Sequence, residues 1–234
     1  MKHRFYGDQN DYIKYGLLNV LSSQYESIGI NWYLTDDHHG KQNHGKLIGY
    51  LNDDKWRYYN PRIFHLLKHR VENNQRNVQY CRIDHVVEIK EECIEQLPDN
   101  KGQIEYANLR ADWHAEAKKK LAECDLVFFD PDIGVIEQLP AGPIRASEYA
   151  TIAEINDYNW CDWVAIQFLE RRRRFDQMWC NPITASAQRM NKKVVAFVSS
   201  TIAFLYVTDH IDATLSRKVF ERWDTRICTQ ILIV

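Results

Sequence analysis

Short apolar runs alternate along this sequence with longer segments of helical periodicity, and this alternation limits the folds that the chain can adopt. Strands that alternate with helices pair in parallel through crossover connections, with the helices packed against the sheet. The apolar runs predict strands at 28–34, 77–83, 104–108, 125–130, 162–170, 192–200 and 225–234. The periodic segments predict helices at 10–27, 61–73, 89–96, 111–124, 146–157 and 171–190.

These elements predict an α/β architecture: a Rossmann-like, doubly wound, mostly parallel sheet of about seven strands. Near the C-terminus, two strand-like segments at 192–200 and 225–234 have no clear long helix between them. Because antiparallel neighbours need no crossover, we expect an antiparallel closing strand at one edge of the sheet. The length of 234 residues indicates a single domain that spans 1–234.

Composition excludes several classes of protein. Hydrophobic residues make up 45% of the chain, which is enough for a globular core. The net charge of −2 provides no overall field that would draw the chain onto nucleic acid or a membrane. The six cysteines include no CxxC pair, which is typical of reduced thiols. With no signal-peptide pattern and no long apolar run, we expect a cytoplasmic protein without a membrane partner, and the oligomeric state stays open.

Acidic residues follow several of the predicted strands. The strand within LVFFDPDIG runs directly into Asp130, Pro131 and Asp132, and other predicted strands run into Asp84 and Asp112. Each acid taken singly also fits the N-cap of the next helix. In open α/β sheets, however, ligands bind at the carboxyl ends of the strands. The repeated pattern therefore predicts a ligand site at that edge of the sheet.

Three motifs resemble a known enzyme family. They are RFYGDQNDYIKYGLL at 4–18, NWYLTDDHHG at 31–40 and FFDPDIG at 128–134. Together with the order of elements, they resemble the class I S-adenosylmethionine-dependent methyltransferases. The nearest resemblance is to the bacterial rRNA adenine-N6 methyltransferase J family, which modifies large-subunit ribosomal RNA. Gly7, Asp11 and Lys14 match the entry motif of that family, whereas Tyr15 stands in place of its histidine.

The resemblance implies S-adenosylmethionine as cofactor and a role for each matching residue. Asp130 and the carbonyl of Pro131 would accept the two hydrogens of an amine, and Asp132 would add a second charge as a base or as an attraction for a cation. The implied cofactor-binding residues are Lys14, Asp36, Asp37, Asp84, Asp112 and Trp113, with Asp84 at the ribose and Asp112 and Trp113 at the adenine. The implied contacts to a nucleic acid or nucleotide substrate are Lys2, His3, Arg4 and Arg171.

Two segments depart from the family pattern. The loop that is glycine-rich in the family reads DDHHGKQNHG here, in which only Gly40 and Gly45 lack side chains. Ile133 replaces the aromatic residue that stacks on the extruded base in adenine-N6 methyltransferases. These changes weaken the prediction of activity more than the prediction of fold.

Two other functions stay open on the same residues. Asp36, Asp37 and the histidines at 38, 39 and 44 are suitable ligands for magnesium, manganese or zinc. With Asp130 and Asp132, they would form the site of a metal-dependent phosphodiesterase or nuclease. Their spacing fits no metal motif, so a divalent metal is expected only under this alternative. A third possibility is a catalytically inert binding protein that keeps the fold.

Overall fold

The computed structural model describes residues 2–35, 47–78, 91–93, 97, 103–140, 146–169, 180–199, 201–222 and 230–233. In this part, seven strands form one mixed sheet and two short strands form a separate parallel pair. The strands of the main sheet are β1 (Ile28–Asn31), β2 (Glu91–Cys93), β3 (Leu126–Phe129), β6 (Asp162–Phe168), β7 (Lys193–Val198), β8 (Ile202–Thr208) and β9 (Gln230–Ile233). The separate pair consists of β4 (Gly134–Ile136) and β5 (Tyr149–Thr151).

Helices of the described part precede the first strand and connect later ones along the chain. They are α1 (Gln9–Leu21), α2 (Asp54–Tyr59), α3 (Pro61–Glu72), α4 (Gln103–Lys120), α5 (Ile152–Asn156), α6 (Cys180–Arg189) and α7 (Ala213–Arg222), with 3-10 helices at His3–Phe5 and Gly49–Asn52. The chain therefore has a mixed α/β fold. Within the described ranges, no helix combines the length and apolar character needed to cross a membrane.

The strand order is β2-β1-β3-β6-β8-β7-β9. The pairs β1–β2, β1–β3 and β3–β6 are parallel, whereas β6–β8, β7–β8 and β7–β9 are antiparallel. Five strands thus run in one direction, and β8 and β9 are reversed. The reversal of β8 lies inside the sheet rather than only at its edge, because the short link from β7 allows a hairpin but no crossover.

Alternate residues of the central strands face two hydrophobic cores. In β3, Leu126 and Phe128 pack with α1, α3 and α7, whereas Val127 and Phe129 pack with α4, α5 and α6. The period of two along a strand sends neighbouring side chains to opposite faces. Helices therefore cover both faces, as the apolar character of these strands predicts.

Several element predictions are confirmed and others are wrong. The predicted helix at 61–73 matches α3, where Asn60 accepts a hydrogen bond from the Ile63 amide and Pro61 occupies the first turn. The predicted strand at 104–108 is wrong, because this stretch belongs to α4. The buried residues in the described part of α4 recur at helical spacing, namely Tyr106, Arg110, Trp113, His114 and Ala117.

Other elements were predicted with the wrong type or were missed. Residues 91–93 form a strand rather than the predicted helix, and β5 occupies part of the helix predicted at 146–157. The sequence interpretation assigned neither β8 nor α7. The predicted strand at 77–83 lies outside the described residues from position 79 onward, as does the predicted helix at 171–190 before Cys180.

Candidate functional site

The parallel strands β1 and β3 end side by side at one edge of the sheet, and the neighbouring strand β6 continues past them to Phe168. Asn31, Phe129 and Ala165 are neighbours in the pairing register. The chain leaves β3 at Asp130, whose amide donates to the carbonyl of Asn31 at 2.9 Å. The Asp130-Pro131-Asp132 turn thus lies at the carboxyl edge, where ligands bind in open α/β sheets.

A buried ion pair joins this turn to α1. The Lys14 ammonium lies 2.8 Å from Asp130 Oδ2 and 2.7 Å from Asp11 Oδ1, and all three side chains are buried. Asp11 also accepts a hydrogen bond of 3.0 Å from the Gly7 amide through its other oxygen. The ammonium lies 5.2 Å from the centre of the Trp32 ring, within reach of a cation–π interaction. The predicted cofactor residue and the predicted catalytic residue are therefore in direct contact.

The electrostatics of this cluster follow from its burial. Burial alone would lower the pKa of Lys14, but the carboxylates of Asp11 and Asp130 outweigh it and raise the pKa. Burial raises the pKa of Asp130 above its ordinary value, although Lys14 opposes the shift. Burial and the charge of Asp11 also raise the pKa of Asp8 to about 7. Lys14 therefore stays protonated, and Asp8 and Asp130 both have a pKa above the ordinary value of an aspartate.

A second ion pair holds the other acid of the turn. The Lys2 ammonium donates to Asp132 Oδ2 at 2.5 Å and to Glu148 Oε1 at 2.8 Å. The Lys2 and Asp132 side chains are 5% and 6% exposed, so the contact is nearly dry. Burial works to lower the pKa of Lys2, but these two carboxylates raise it. Each acid that follows β3 is thus balanced by a lysine from the first 14 residues of the chain.

The backbone of the turn is held from both sides. The Ile133 amide donates to the Glu148 carbonyl at 2.8 Å, and the Ile133 carbonyl accepts from the Phe168 amide at 3.1 Å. The Val135 amide donates to Gln167 Oε1 at 2.7 Å. Because these bonds lie on either side of position 134, they restrict the path of the chain immediately after Asp130, Pro131 and Asp132.

Gln167 is a residue of the site that sequence reasoning missed. It is 1% exposed near the end of β6, and its amide nitrogen donates to the carbonyl of Ile133 at 3.3 Å. Gly134 has φ +141°, and a Cβ at that position would lie 2.1 Å from Gln167 Oε1. The signal in the sequence is a glutamine within the otherwise apolar stretch WVAIQF, because a buried amide needs hydrogen-bond partners.

The structure describes some of the remaining predicted substrate and cofactor residues, and others lie outside the described ranges. His3 and Arg4 lie in the 3-10 helix and are half-buried, and the Arg4 guanidinium lies 5.5 Å from the centre of the Phe5 ring. Residues Asp36, Asp37, Asp84 and Arg171 lie outside the described residues. The structure therefore brings together Lys2, Lys14, Asp130, Pro131 and Asp132 from the predicted set.

The prediction that Asp112 and Trp113 follow a strand is wrong. Both lie within α4, where Asp112 is exposed and Trp113 is buried. The Trp113 ring packs edge-on against Tyr33 with ring centres 4.9 Å apart. Tyr33 follows β1 and adopts φ +45°, a conformation that glycine adopts at lower cost. An aromatic pair thus fills the space beside the end of β1.

These observations bear on which groups the site can hold. The Lys14 ammonium contacts Asp130 after β3 and lies over the Trp32 ring after β1, where it balances the charges of Asp11 and Asp130. Asp130 fits the role of an acceptor for an amine. Within the described ranges, no three His, Cys, Asp or Glu residues are grouped so that they could hold a metal ion.

Comparison with known proteins gives no further identification, since no protein-family model, curated protein or solved structure matches the chain.

Proposed function

We propose that this chain is a Rossmann-like, S-adenosylmethionine-dependent methyltransferase that modifies an amine of a nucleic acid or nucleotide. The observation that carries the proposal is the 2.8 Å contact between Lys14 and Asp130, which are 116 positions apart in the sequence. The two residues come from separate motifs of the family resemblance. Their meeting at the carboxyl edge between β1 and β3 is what a common cofactor and substrate site requires.

The strand order supports the same proposal. The strand that ends in Asp130 lies beside β1 near the centre of the sheet, and the reversed strand β8 lies between β6 and β7. The two cores place helices on both faces of this sheet. This arrangement is compatible with the doubly wound fold expected for a class I methyltransferase.

The proposed chemical role of the chain is to make the substrate amine more reactive toward the methyl group. S-adenosylmethionine supplies an electrophilic methyl group when it is bound. The Asp130 carboxylate accepts a hydrogen bond from the amine, which raises the electron density on the nitrogen, and it takes the proton that the amine loses. Burial raises the pKa of Asp130 and makes it a better proton acceptor. Lys14 fixes one of the two carboxylate oxygens and thereby orients the group.

The test of the proposed function is calorimetric titration with S-adenosylmethionine and S-adenosylhomocysteine, with and without magnesium or manganese. We expect binding without metal, followed by transfer of a labelled methyl group to a nucleic acid or nucleotide. Asp130→Asn should bind the cofactor and lose transfer, since the amide cannot take the proton. A wild-type protein that binds neither compound overturns the proposal.

The phosphodiesterase alternative uses Asp130 and Asp132 as metal ligands. In the structure each of these acids contacts a different lysine, Lys14 for Asp130 and Lys2 for Asp132. No observation in the described part of the chain favours metal-dependent cleavage, and we do not propose it.

A further inference from the structure

A basic, aromatic surface lies on α2 and α3. From position 55 to position 71 the sequence KWRYYNPRIFHLLKHRV contains five lysines and arginines and no acidic residue. We call the exposed and half-buried side chains of these two helices the α2–α3 surface. Its cations are Lys55, Arg57, Arg62, Lys68 and Arg70. The whole chain carries a net charge of −2, so this surface differs in sign from the chain as a whole.

The apolar side of α3 is already used, which leaves its basic side toward solvent. Ile63, Phe64 and Leu67 are buried in the core beneath α3. Arg62, His65 and His69 recur on the exposed side at spacings of three and four residues. One helix face therefore stabilises the fold while the other presents cations and imidazoles.

Two ion pairs on this surface are weak. Arg57 lies 3.5 Å from Asp54, and Lys68 lies 3.9 Å from Glu72, at the ends of the acid-free stretch. All four side chains are more than one third exposed, and exposed pairs contribute about 0–1 kcal/mol. Arg57 and Lys68 can therefore exchange their carboxylate neighbours for phosphates at little cost.

An exposed aromatic ring accompanies the cations. Tyr58 is 84% exposed at the end of α2, and its ring centre lies 6.3 Å from that of Tyr59. Trp56 and Tyr59 are half-buried against the core, which supports this end of the helix. Unpaired bases stack on such rings, whereas the bases of a duplex are already stacked.

The surface is rigidly connected to the candidate site. The Tyr12 hydroxyl donates to the Trp56 carbonyl at 2.5 Å and accepts from the Asn60 amide at 2.8 Å. Tyr12 lies two positions before Lys14 on α1. At the other end, Arg76 donates to the Tyr6 carbonyl at 2.7 Å, within the segment that carries Lys2 and Lys14.

From these observations we infer that the α2–α3 surface binds single-stranded nucleic acid, with the cations on phosphates and Tyr58 stacked on a base. This deepens the proposed function by naming the substrate class, and it rests on that function only for the chemical step. The phosphate contacts supply affinity without sequence preference. Through Tyr12, the surface is joined to α1, the helix that carries Lys14.

The test is fluorescence anisotropy of the full chain with labelled single strands of about 20 nucleotides, a length that exceeds the site sizes of common single-strand binders. RNA and DNA of one sequence and the corresponding DNA duplex are compared over a range of salt. The surface variant is Arg57→Gln, Arg62→Gln and Lys68→Gln combined. The matched control is Lys119→Gln, Arg189→Gln and Lys193→Gln, which removes the same charge from exposed positions outside the surface.

We expect the surface variant to lose affinity at least tenfold while the control stays within twofold of wild type. The slope of log affinity against log salt should fall by about 2, since each phosphate contact to a single strand contributes about 0.7. Tyr58→Ala should weaken single-strand binding about tenfold and leave the salt slope unchanged. Circular dichroism melting of each variant checks that the fold is intact.

Equal losses in the surface and control variants overturn the inference, as does a wild type that prefers the duplex or does not bind. No cofactor is present in this assay. Methyl transfer is measured separately, in the test of the proposed function. Nucleic-acid binding here with no methyl transfer there keeps the inference and removes the proposed function. Methyl transfer there, with unchanged binding by the surface variant here, removes the inference and keeps the proposed function.

Discussion

At the scale of single residues, buried charges explain why a strand ends in two acids. Asp130 and Asp132 each contact a lysine, and both lysines come from the N-terminal segment. A buried carboxylate without a partner is costly, so the acids and the lysines depend on one another. The acids at this edge therefore attach the N-terminal segment to the sheet whether or not they also act on a substrate.

Removal of Lys14 tests this dependence. Lys14→Met leaves Asp11 and Asp130 buried beside a neutral side chain, and we expect a loss of about 3–5 kcal/mol in the free energy of unfolding. Asp130→Asn added to Lys14→Met should recover part of that loss. Urea unfolding of the two single variants and the double variant measures the coupling, and strictly additive effects would contradict a direct ion pair.

Asp8 makes stability depend on pH. Its pKa of about 7 in the folded chain lies above the ordinary value of 3.8. Between about pH 4 and pH 7, Asp8 keeps its proton in the folded state but loses it in the unfolded state. The contribution of Asp8 to the free energy of unfolding is therefore largest at low pH and is lost as the pH rises from about 4 to beyond 7. Asp8→Asn keeps the side-chain oxygen that caps α1 and removes the charge.

We expect the stability of Asp8→Asn relative to wild type to be clearly higher at pH 8 than at pH 5. The measurement is urea unfolding at both pH values, with the free energy extrapolated to water. If the difference between the two proteins does not change with pH, Asp8 does not hold a proton in the folded chain.

At the scale of elements, the connection between β3 and β4 depends on Gln167 and Gly134. The φ of +141° at Gly134 and the nearby Gln167 amide leave no space for a side chain. Gly134→Ala should destabilise the protein by about 1–3 kcal/mol through backbone strain, with a steric contribution in addition. Thermal unfolding measures the change.

The steric and backbone contributions can be separated. Gln167→Ala on its own leaves the Val135 amide and the Ile133 carbonyl short of a partner and should also destabilise. Combined with Gly134→Ala, it removes the clash, so the double variant should be more stable than the sum of the single effects. Gly49→Ala is the control, since no atom lies within 4 Å of a Cβ there. An equal loss in the control would refute the steric explanation.

At the scale of the whole molecule, one sheet serves two hydrophobic cores. Strands β3, β6, β7 and β8 contribute alternate residues to each core, so neither core can be lost without disrupting strands of the other. We expect a single cooperative unfolding transition. Trp32 lies in one core and Trp163 in the other, and Trp32→Phe and Trp163→Phe assign the fluorescence of each. Transitions with separate midpoints would indicate two independent units.

The local features of the sequence predicted much of this molecule. Apolar runs predicted the strands β1, β3, β6 and β7, and capping residues predicted the start of α3. Each of these signals lies within the segment itself. The strand at 104–108 was mispredicted because a short apolar pattern fits either period, whereas the buried stripe of α4 becomes evident only over its full length. β8 was missed although its apolar run IAFLYVT is a local strand signal of the same kind.

The sequence by itself determined that two acids follow a buried strand, and the resemblance of its motifs predicted a site that includes Lys14 and Asp130. Only the tertiary structure decided that Lys14 and Lys2 contact those acids, that Gln167 holds the turn, and that Asp112 lies on an exposed helix face. The period of apolar residues along a chain indicates which side chains are buried. The partner of a buried charge depends on strand order and register, which bring together positions more than 100 residues apart.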